Sequence, residues 1–183
     1  MPTLNIIAAV SLNGGIGYNG GLPWKLRKDM TFFATTTTMA KPGLKNAVVM
    51  GRKTWECIPE KVRPLKNRIN MILSTTMSSS PPGTYVCKSL AECLNLLESE
   101  ELKSVLDKVF VIGGSSLYKE VLEQNKYPVR IYCTHVMKEV ECDTFFPQVD
   151  WSKMKKISLP EVPEDVVEEN GYSYKFCVYD KVD

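Results

Sequence analysis

Asp29 is the carboxylate whose setting invites chemistry. It lies in GLPWKLRKDMTFF, residues 21 to 33, where a proline leads into an amphipathic helix expected from about Trp24. Counting about 100° per residue from Leu26, Asp29 falls at about 300°, between Phe32 at about 240° and Phe33 at about 340°. The acid therefore sits inside the apolar arc. A carboxylate buried there without a partner is expensive or stays protonated, so a partner must reach it or the site must stay partly open. Lys25, one turn earlier on the helix edge, is one such partner. A ligand is the other, and the helix alone does not choose between them.

Glycines mark where an anion could lie. In VFVIGGSSLYKE a strand ends in Gly113-Gly114, and the next residues open a helix with free N–H groups and a positive dipole end. AVVMGRKTW repeats the arrangement with Gly51, followed by Arg52, Lys53 and Thr54. From Arg52 to Arg68, six Lys or Arg face two Glu. No Walker motif occurs, but two such turns in a parallel sheet, one of them basic, suit a ligand with two separated phosphates such as NADP. Gly15, Gly17 and Gly20 also fit G-x-G-x-x-G by spacing. That match is rejected, because Gly21, Leu22 and Pro23 delay the helix and no acid stands about twenty positions on, where Met39, Ala40 and Lys41 occur. NGGIGYNGGLPW reads instead as a mobile glycine-rich loop of the kind that gates sites.

Other chemistries lack their parts. The sole histidine, His135, lies in a strand-like run and reads as a satisfied strand residue, which removes His-based hydrolysis and a His-rich metal site. Six scattered cysteines without a CxxC pair read as reduced packing thiols. No metal is expected. A net charge of +2 argues against a surface-wide nucleic-acid footprint. No apolar run approaches a membrane span, and MPTLNIIAAVS lacks the features of a signal peptide, so a cytoplasmic protein is expected.

The elements that must position these residues follow from the pattern. Strands are expected at Leu4 to Ser11, Asn46 to Met50, Arg68 to Thr75, Thr84 to Lys88, Lys108 to Ile112 and Val129 to Met137, with helices between most of them. Such alternation implies a largely parallel sheet covered by helices. Ser89 and Glu92 predict a capping box ahead of a Leu90, Leu94, Leu97 stripe. TTTT at 35 to 38 and SSSPPG at 78 to 83 read as loops, and WSKMKKISL and YSYKFCVYDK as a terminal antiparallel hairpin joined by an acidic, proline-containing loop. With 183 residues, 44% apolar and 24% charged, one globular domain is expected.

In order and spacing, IIAAVSLNGGIG, LPW, KDMTFF, VVMGRKTWECIPEKVRPLKNRINMILS, VFVIGGSSLYKE, RIYCTH and DTFFP resemble the motifs of dihydrofolate reductases over nearly the whole chain. The resemblance implies an α/β fold: a mostly parallel, eight-stranded central sheet, antiparallel in its last strand and flanked by helices. It implies reduction of 7,8-dihydrofolate to tetrahydrofolate by NADPH, for one-carbon metabolism and thymidylate synthesis, in a monomer that also binds antifolates and has no nucleic-acid or membrane partner. Residues 1 to 183 would form one reductase domain, with an adenosine-binding part at roughly 39–107 and no fused thymidylate synthase. Two other readings stand beside it. The related reductase of riboflavin synthesis lacks LPW and the acidic helix, and a non-catalytic folate carrier would not need Asp29 beside a hydride path.

By resemblance, Asp29 matches the family's active-site carboxylate, which bonds the 2-amino group and N3 of the pterin, while a water delivers the proton to N5 and hydride reaches C6. Thr134 matches the threonine bonded to that carboxylate and Trp24 the tryptophan that holds an ordered water; Leu22 completes the catalytic set. Ile7, Ala8, Met30, Phe33, Ile58, Leu65, Ile112 and Tyr118 match the folate walls, and Arg68 the arginine on the glutamate tail. Ala9, Ile16, Gly17, Gly20 and Thr144 match the nicotinamide side, as does the turn of Gly113, Gly114, Ser115, Ser116 and Leu117, whose glycines the family joins by a cis peptide. Tyr118 and Ile112 border the cofactor as well as folate. Gly51, Arg52, Lys53, Thr54, Leu73, Ser74, Thr75 and Lys88 match the adenosine phosphate side. Four positions depart from common family residues: Met30 from an aromatic or leucine, Val62 from a polar residue, Gly21 from an acid, and Thr75 from an arginine, which leaves 2′-phosphate recognition to Lys53 and Lys88.

Overall fold

In the computed structural model, which describes residues 2–182, β-branched runs alternate with helices. In chain order the elements are β1 (Leu4–Ser11), β2 (Gly15–Gly17), α1 (Arg27–Thr38), β3 (Lys45–Gly51), α2 (Arg52–Cys57), β4 (Arg68–Leu73), β5 (Thr84–Cys87), α3 (Leu90–Leu97), α4 (Glu100–Lys103), β6 (Leu106–Gly113), α5 (Ser115–Glu123), β7 (Val129–Val136), β8 (Thr144–Phe145), β9 (Met154–Ile157), β10 (Val167–Glu169) and β11 (Tyr172–Lys181). The strands stand in the order β10-β11-β7-β1-β6-β3-β4-β5, with β9 also on β11, making nine in the main sheet. Every pairing from β7 across to β5 is parallel, and β11 runs antiparallel to β7. The expected α/β architecture is present, with the ninth strand an addition.

Parallel strands need both faces covered, and alternating side chains supply two cores. Leu4, Ile6, Val49, Val111 and Ile131 pack on one face with Leu94, Leu97 and Val121 of α3 and α5. Ile7, Val48, Met50, Phe110 and Tyr132 pack on the other with Trp55 of α2 and, from α1, the half-buried Phe32 and Phe33. Since β6 enters between β1 and β3, and β7 lies on β1's other side, the chain reverses its winding direction at β1 and β6. In open α/β sheets such a reversal is where ligands bind, beyond the carboxyl ends of the strands.

Five local expectations are corrected. Helix α1 begins at Arg27, not Trp24, because Trp24 and Leu26 are both buried, a period-two pattern that keeps Leu26 extended at φ −122 and ψ 101. TTTT at 35 to 38 is the last turn of that helix, not a loop: buried Thr37 donates to the Phe33 carbonyl at 2.7 Å and accepts from Arg68 Nη1 at 3.0 Å. Tertiary contacts outweigh the poor helix propensity of threonine there. Ser89 does accept from the Glu92 amide at 3.1 Å, but Glu92 takes the Lys88 amide at 2.7 Å instead of closing the box on Ser89. The terminal hairpin is three strands: β9 and β11 pair as expected, but β10 forms within the connecting segment and joins β11 through Asn170 (φ 53) and Gly171 (φ 79). The glycine-rich loop is hydrogen-bonded in two places. Its β2 pairs with β8, and Tyr18 and Gly21 exchange amide bonds of 2.9 and 3.0 Å around Asn19 and Gly20.

His135 is a satisfied strand residue, its Nε2 2.8 Å from the Tyr179 hydroxyl. All six cysteines are free, four of them buried.

Candidate active site

The site begins where two parallel strands separate. β1 and β6 pair only from Leu4↔Val109 to Ile6↔Val111, and beyond them the hydroxyl of Tyr118 donates to the Ile7 carbonyl at 3.0 Å. Tyr118 comes from α5 and is buried, which pushes its phenol pKa up and keeps it a donor. A cleft of about 1570 Å³ opens there and runs along the carboxyl ends of β1, β6, β3 and β4. Single drug-sized ligands occupy roughly 300–1,000 Å³. This cleft has room for two.

At one end Asp29, in the first turn of α1, accepts from the Thr134 hydroxyl at 2.7 Å. Thr134 is buried on β7, opposite Ala9 of β1, so the sheet fixes the donor and the helix presents the acid. Burial raises the Asp29 carboxyl above its usual range; the Thr134 bond works against that rise, and the charge of Glu169 adds to it. Lys25 is exposed and forms no ion pair with Asp29, so the lysine alternative falls away. Ile7, Ala8, Ile112, Phe33 and the exposed Met30 line this end, with Leu22 at its exposed mouth.

The other end is basic and glycine-lined. Gly113 and Gly114 are joined by a cis peptide at the head of α5, and Gly113 holds φ +129. A Cβ on Gly113 would meet the Tyr118 hydroxyl at 3.3 Å and Thr54 Oγ1 at 3.4 Å. Ser115 and Ser116 follow, and Ser115 donates to the Phe145 carbonyl at 2.6 Å. Gly51, Arg52, Lys53, Thr54, Leu73, Ser74, Thr75 and Lys88 line the cleft from the ends of β3, β4 and β5, while Ala9, Ile16, Gly17, Gly20 and Thr144 line its middle.

Five expected site residues stand outside this lining. Leu117 points into the core beside α5. Ile58 and Leu65 are half-buried against the same core as Phe33. Arg68 donates from Nε to the Lys66 carbonyl and from Nη1 to Thr37, and burial lowers its pKa. Trp24 is buried, and its indole N–H has no partner among the described residues. The cleft also gathers residues the sequence reading passed over, among them Phe32, Cys57, Thr76, Glu120 and Asp143. Asp143 accepts from the Asn19 amide at 2.9 Å, tying the glycine-rich turn to β8. Its signal in the sequence is DTFFP, of which the family resemblance marks only Thr144.

A family model described as dihydrofolate reductase matches residues 3–181. The dihydrofolate reductase of Schistosoma mansoni is 60% identical over 177 residues, covering 97% of this chain and 95% of the relative. That of Sus scrofa is 50% identical over 182 residues, covering 97% of each. A solved structure of the Schistosoma mansoni enzyme superimposes with a TM-score of 0.92 at 58% identity, covering 99% of both chains. With one acid at the strand split, a glycine cradle at the head of α5 and these likenesses over nearly its full length, the chain belongs to the dihydrofolate reductase family.

Proposed function

We propose that the cleft reduces 7,8-dihydrofolate to 5,6,7,8-tetrahydrofolate with NADPH, the pterin against Asp29 and the cofactor along the glycine and basic end. The observation that carries the reading is the Asp29–Thr134 pair, 2.7 Å apart, in the same cleft as Arg52, Lys53 and Lys88. NADPH fits the donor set. The cis Gly113–Gly114 turn leaves a cradle that a Cβ would narrow, and the head of α5, Arg52, Lys53 and Lys88 offer amides and cations for its phosphates. Lys53, Ser74 and Lys88 would read the 2′-phosphate, since Thr75 brings no charge. These groups come from the segment 39–107, which would form the adenosine-binding part.

When bound, NADPH supplies hydride to C6 of the pterin. Asp29 holds the 2-amino group and N3, and Thr134 fixes the carboxylate that does so. Ile7, Phe33 and Met30 wall the ring, and Leu22 narrows the mouth against bulk water. Trp24 keeps a buried indole N–H without a partner among the described residues, which suits a tryptophan that holds the ordered water from which N5 takes its proton. Arg68, beside α1, would turn the N–H groups not engaged by Thr37 and Lys66 onto the carboxylate of the folate tail. The rate then comes from positioning and a preorganised charge in a site that excludes water.

We further propose that the enzyme works in the cytoplasm as a monomer, without nucleic-acid or membrane partners. Among the described residues no helix is long and apolar enough to cross a membrane. Absorbance at the nicotinamide band tests the reading. NADPH should be consumed only when dihydrofolate is present, and binding of both without consumption would indicate a carrier.

A further inference from the structure

Helix α1 starts without a cap of its own. Leu26 stands at the N-cap position and contributes no side-chain bond, so the free amides of Arg27 and Lys28 need an acceptor from elsewhere. In a self-contained first turn, an acid three residues after the cap turns back toward the helix end. Here that acid is Asp29, and it is turned to Thr134 instead.

The missing acceptor arrives from the far end of the chain. Glu169, the last residue of β10, accepts from the Arg27 amide at 2.7 Å and from the Lys28 amide at 3.3 Å. The hydroxyl of Tyr174, a fully buried residue of β11, donates to the same carboxylate at 2.8 Å and fixes its direction. The hairpin turn holds the preceding residues too. Asn170 Nδ2 donates to the Lys25 carbonyl at 2.6 Å, and the Tyr172 ring meets Trp24 edge-on with centroids 6.5 Å apart. Trp24, Lys25, Arg27 and Lys28 are thus each held by Glu169, Asn170 or Tyr172.

We propose that Glu169 is a positioning residue for the folate site: it supplies the anionic cap of α1 from another element, which releases Asp29 to face Thr134 and the cleft. This rests on the reductase reading of that cleft. Glu169 also acts on Asp29 through its charge. The groups around Asp29 are Thr134 and the neutral thiol of Cys133 on β7, Tyr174 on β11, Glu169 on β10, and the exposed cations Arg27 and Lys28 on its own helix. Among them the Glu169 charge reinforces burial in raising the Asp29 carboxyl, so removing it lets Asp29 ionise at lower pH.

Two variants of the full chain test this with dihydrofolate and NADPH. Glu169→Ala should raise KM for dihydrofolate and lower kcat/KM about tenfold, while NADPH affinity by fluorescence titration stays within about twofold. Glu169→Gln keeps an oxygen for the amides and should recover most of the KM, yet the midpoint at which the rate falls with rising pH should move to lower pH. Wild-type kinetics in both variants, or loss of NADPH affinity in proportion to folate, would overturn the proposal. Should Glu169→Ala fail to fold, Glu169→Gln decides alone, and an unmoved pH midpoint overturns it. If the wild type does not turn over dihydrofolate, the reductase reading is what fails. Amide exchange at Arg27 and Lys28 then still judges the cap, since exchange no faster in Glu169→Ala than in wild type would remove it.

Discussion

Asp29 is a carboxyl in a place that resists charge. Burial and the Glu169 charge raise its carboxyl, and the Thr134 hydroxyl offsets only part of that. A group whose folded pKa lies above its unfolded value contributes stability at low pH and loses it as pH rises through the folded value. Asp29→Asn should therefore melt higher than wild type at neutral pH, the difference closing as pH falls into the carboxylate range. The same variant should keep NADPH binding and lose turnover by roughly 10²–10⁴-fold at pH 7, with a smaller loss in acid where solvent supplies the proton. Wild-type turnover would detach Asp29 from the chemistry. On the cofactor side, Lys53→Glu should weaken NADPH about tenfold or more and NADH far less, since only NADPH brings a 2′-phosphate against the new carboxylate. Equal losses by fluorescence titration would show that Lys53 does not read that phosphate. The setting of Asp29 was legible because helical spacing is local. Its cap was not, because Glu169 lies 142 residues from Arg27.

Elements were read correctly where one face decided them and misread where a distant partner did. The Leu90, Leu94, Leu97 stripe stands as a buried helix face, since α3 meets its neighbours along one side. Thr37 of α1 obeys its bond from Arg68 more than its own propensity, and that partner, 31 residues away, is invisible to a window of a few residues. The β10 hairpin did carry a local sign in Asn170-Gly171, a pair suited to a tight primed turn, but the acidic, proline-containing stretch before it hid the short strand. The Gly113-Gly114 turn is the element on which cofactor binding should depend most. At φ +129 a side chain is strained, and its Cβ would press on Tyr118 and Thr54. Gly113→Ala should lower the melting temperature of the free protein and raise the Kd for NADPH by about tenfold or more. An unchanged Kd would mean that the phosphates lie elsewhere.

At the scale of the molecule, one sheet divides two jobs. The core of Leu4, Ile6, Val111, Leu94 and Leu97 lies on the face of α3 and α5, while the cleft runs along the strand ends and opens toward α1 on the opposite face. Stability and ligand binding should therefore respond separately to substitution. Leu97 is fully buried in α3, outside the cleft lining, and its truncation to alanine should cost about 2–5 kcal/mol through lost contacts and a residual cavity. NADPH at about a hundred times its Kd stabilises the folded chain by about 2.7 kcal/mol through mass action. For a chain of 183 residues that is an upward shift of about 5–10 °C. Leu97→Ala should start from a lower melting temperature and show the full shift, whereas Gly113→Ala, with its Kd raised about tenfold or more, should show about half of it or less even where its own baseline is the higher of the two. Melts of wild type and both variants, each with and without NADPH, read this directly. A shift that shrinks in Leu97→Ala as much as in Gly113→Ala would mean that the cleft and the core beneath α3 are one cooperative unit, with no division of labour across the sheet.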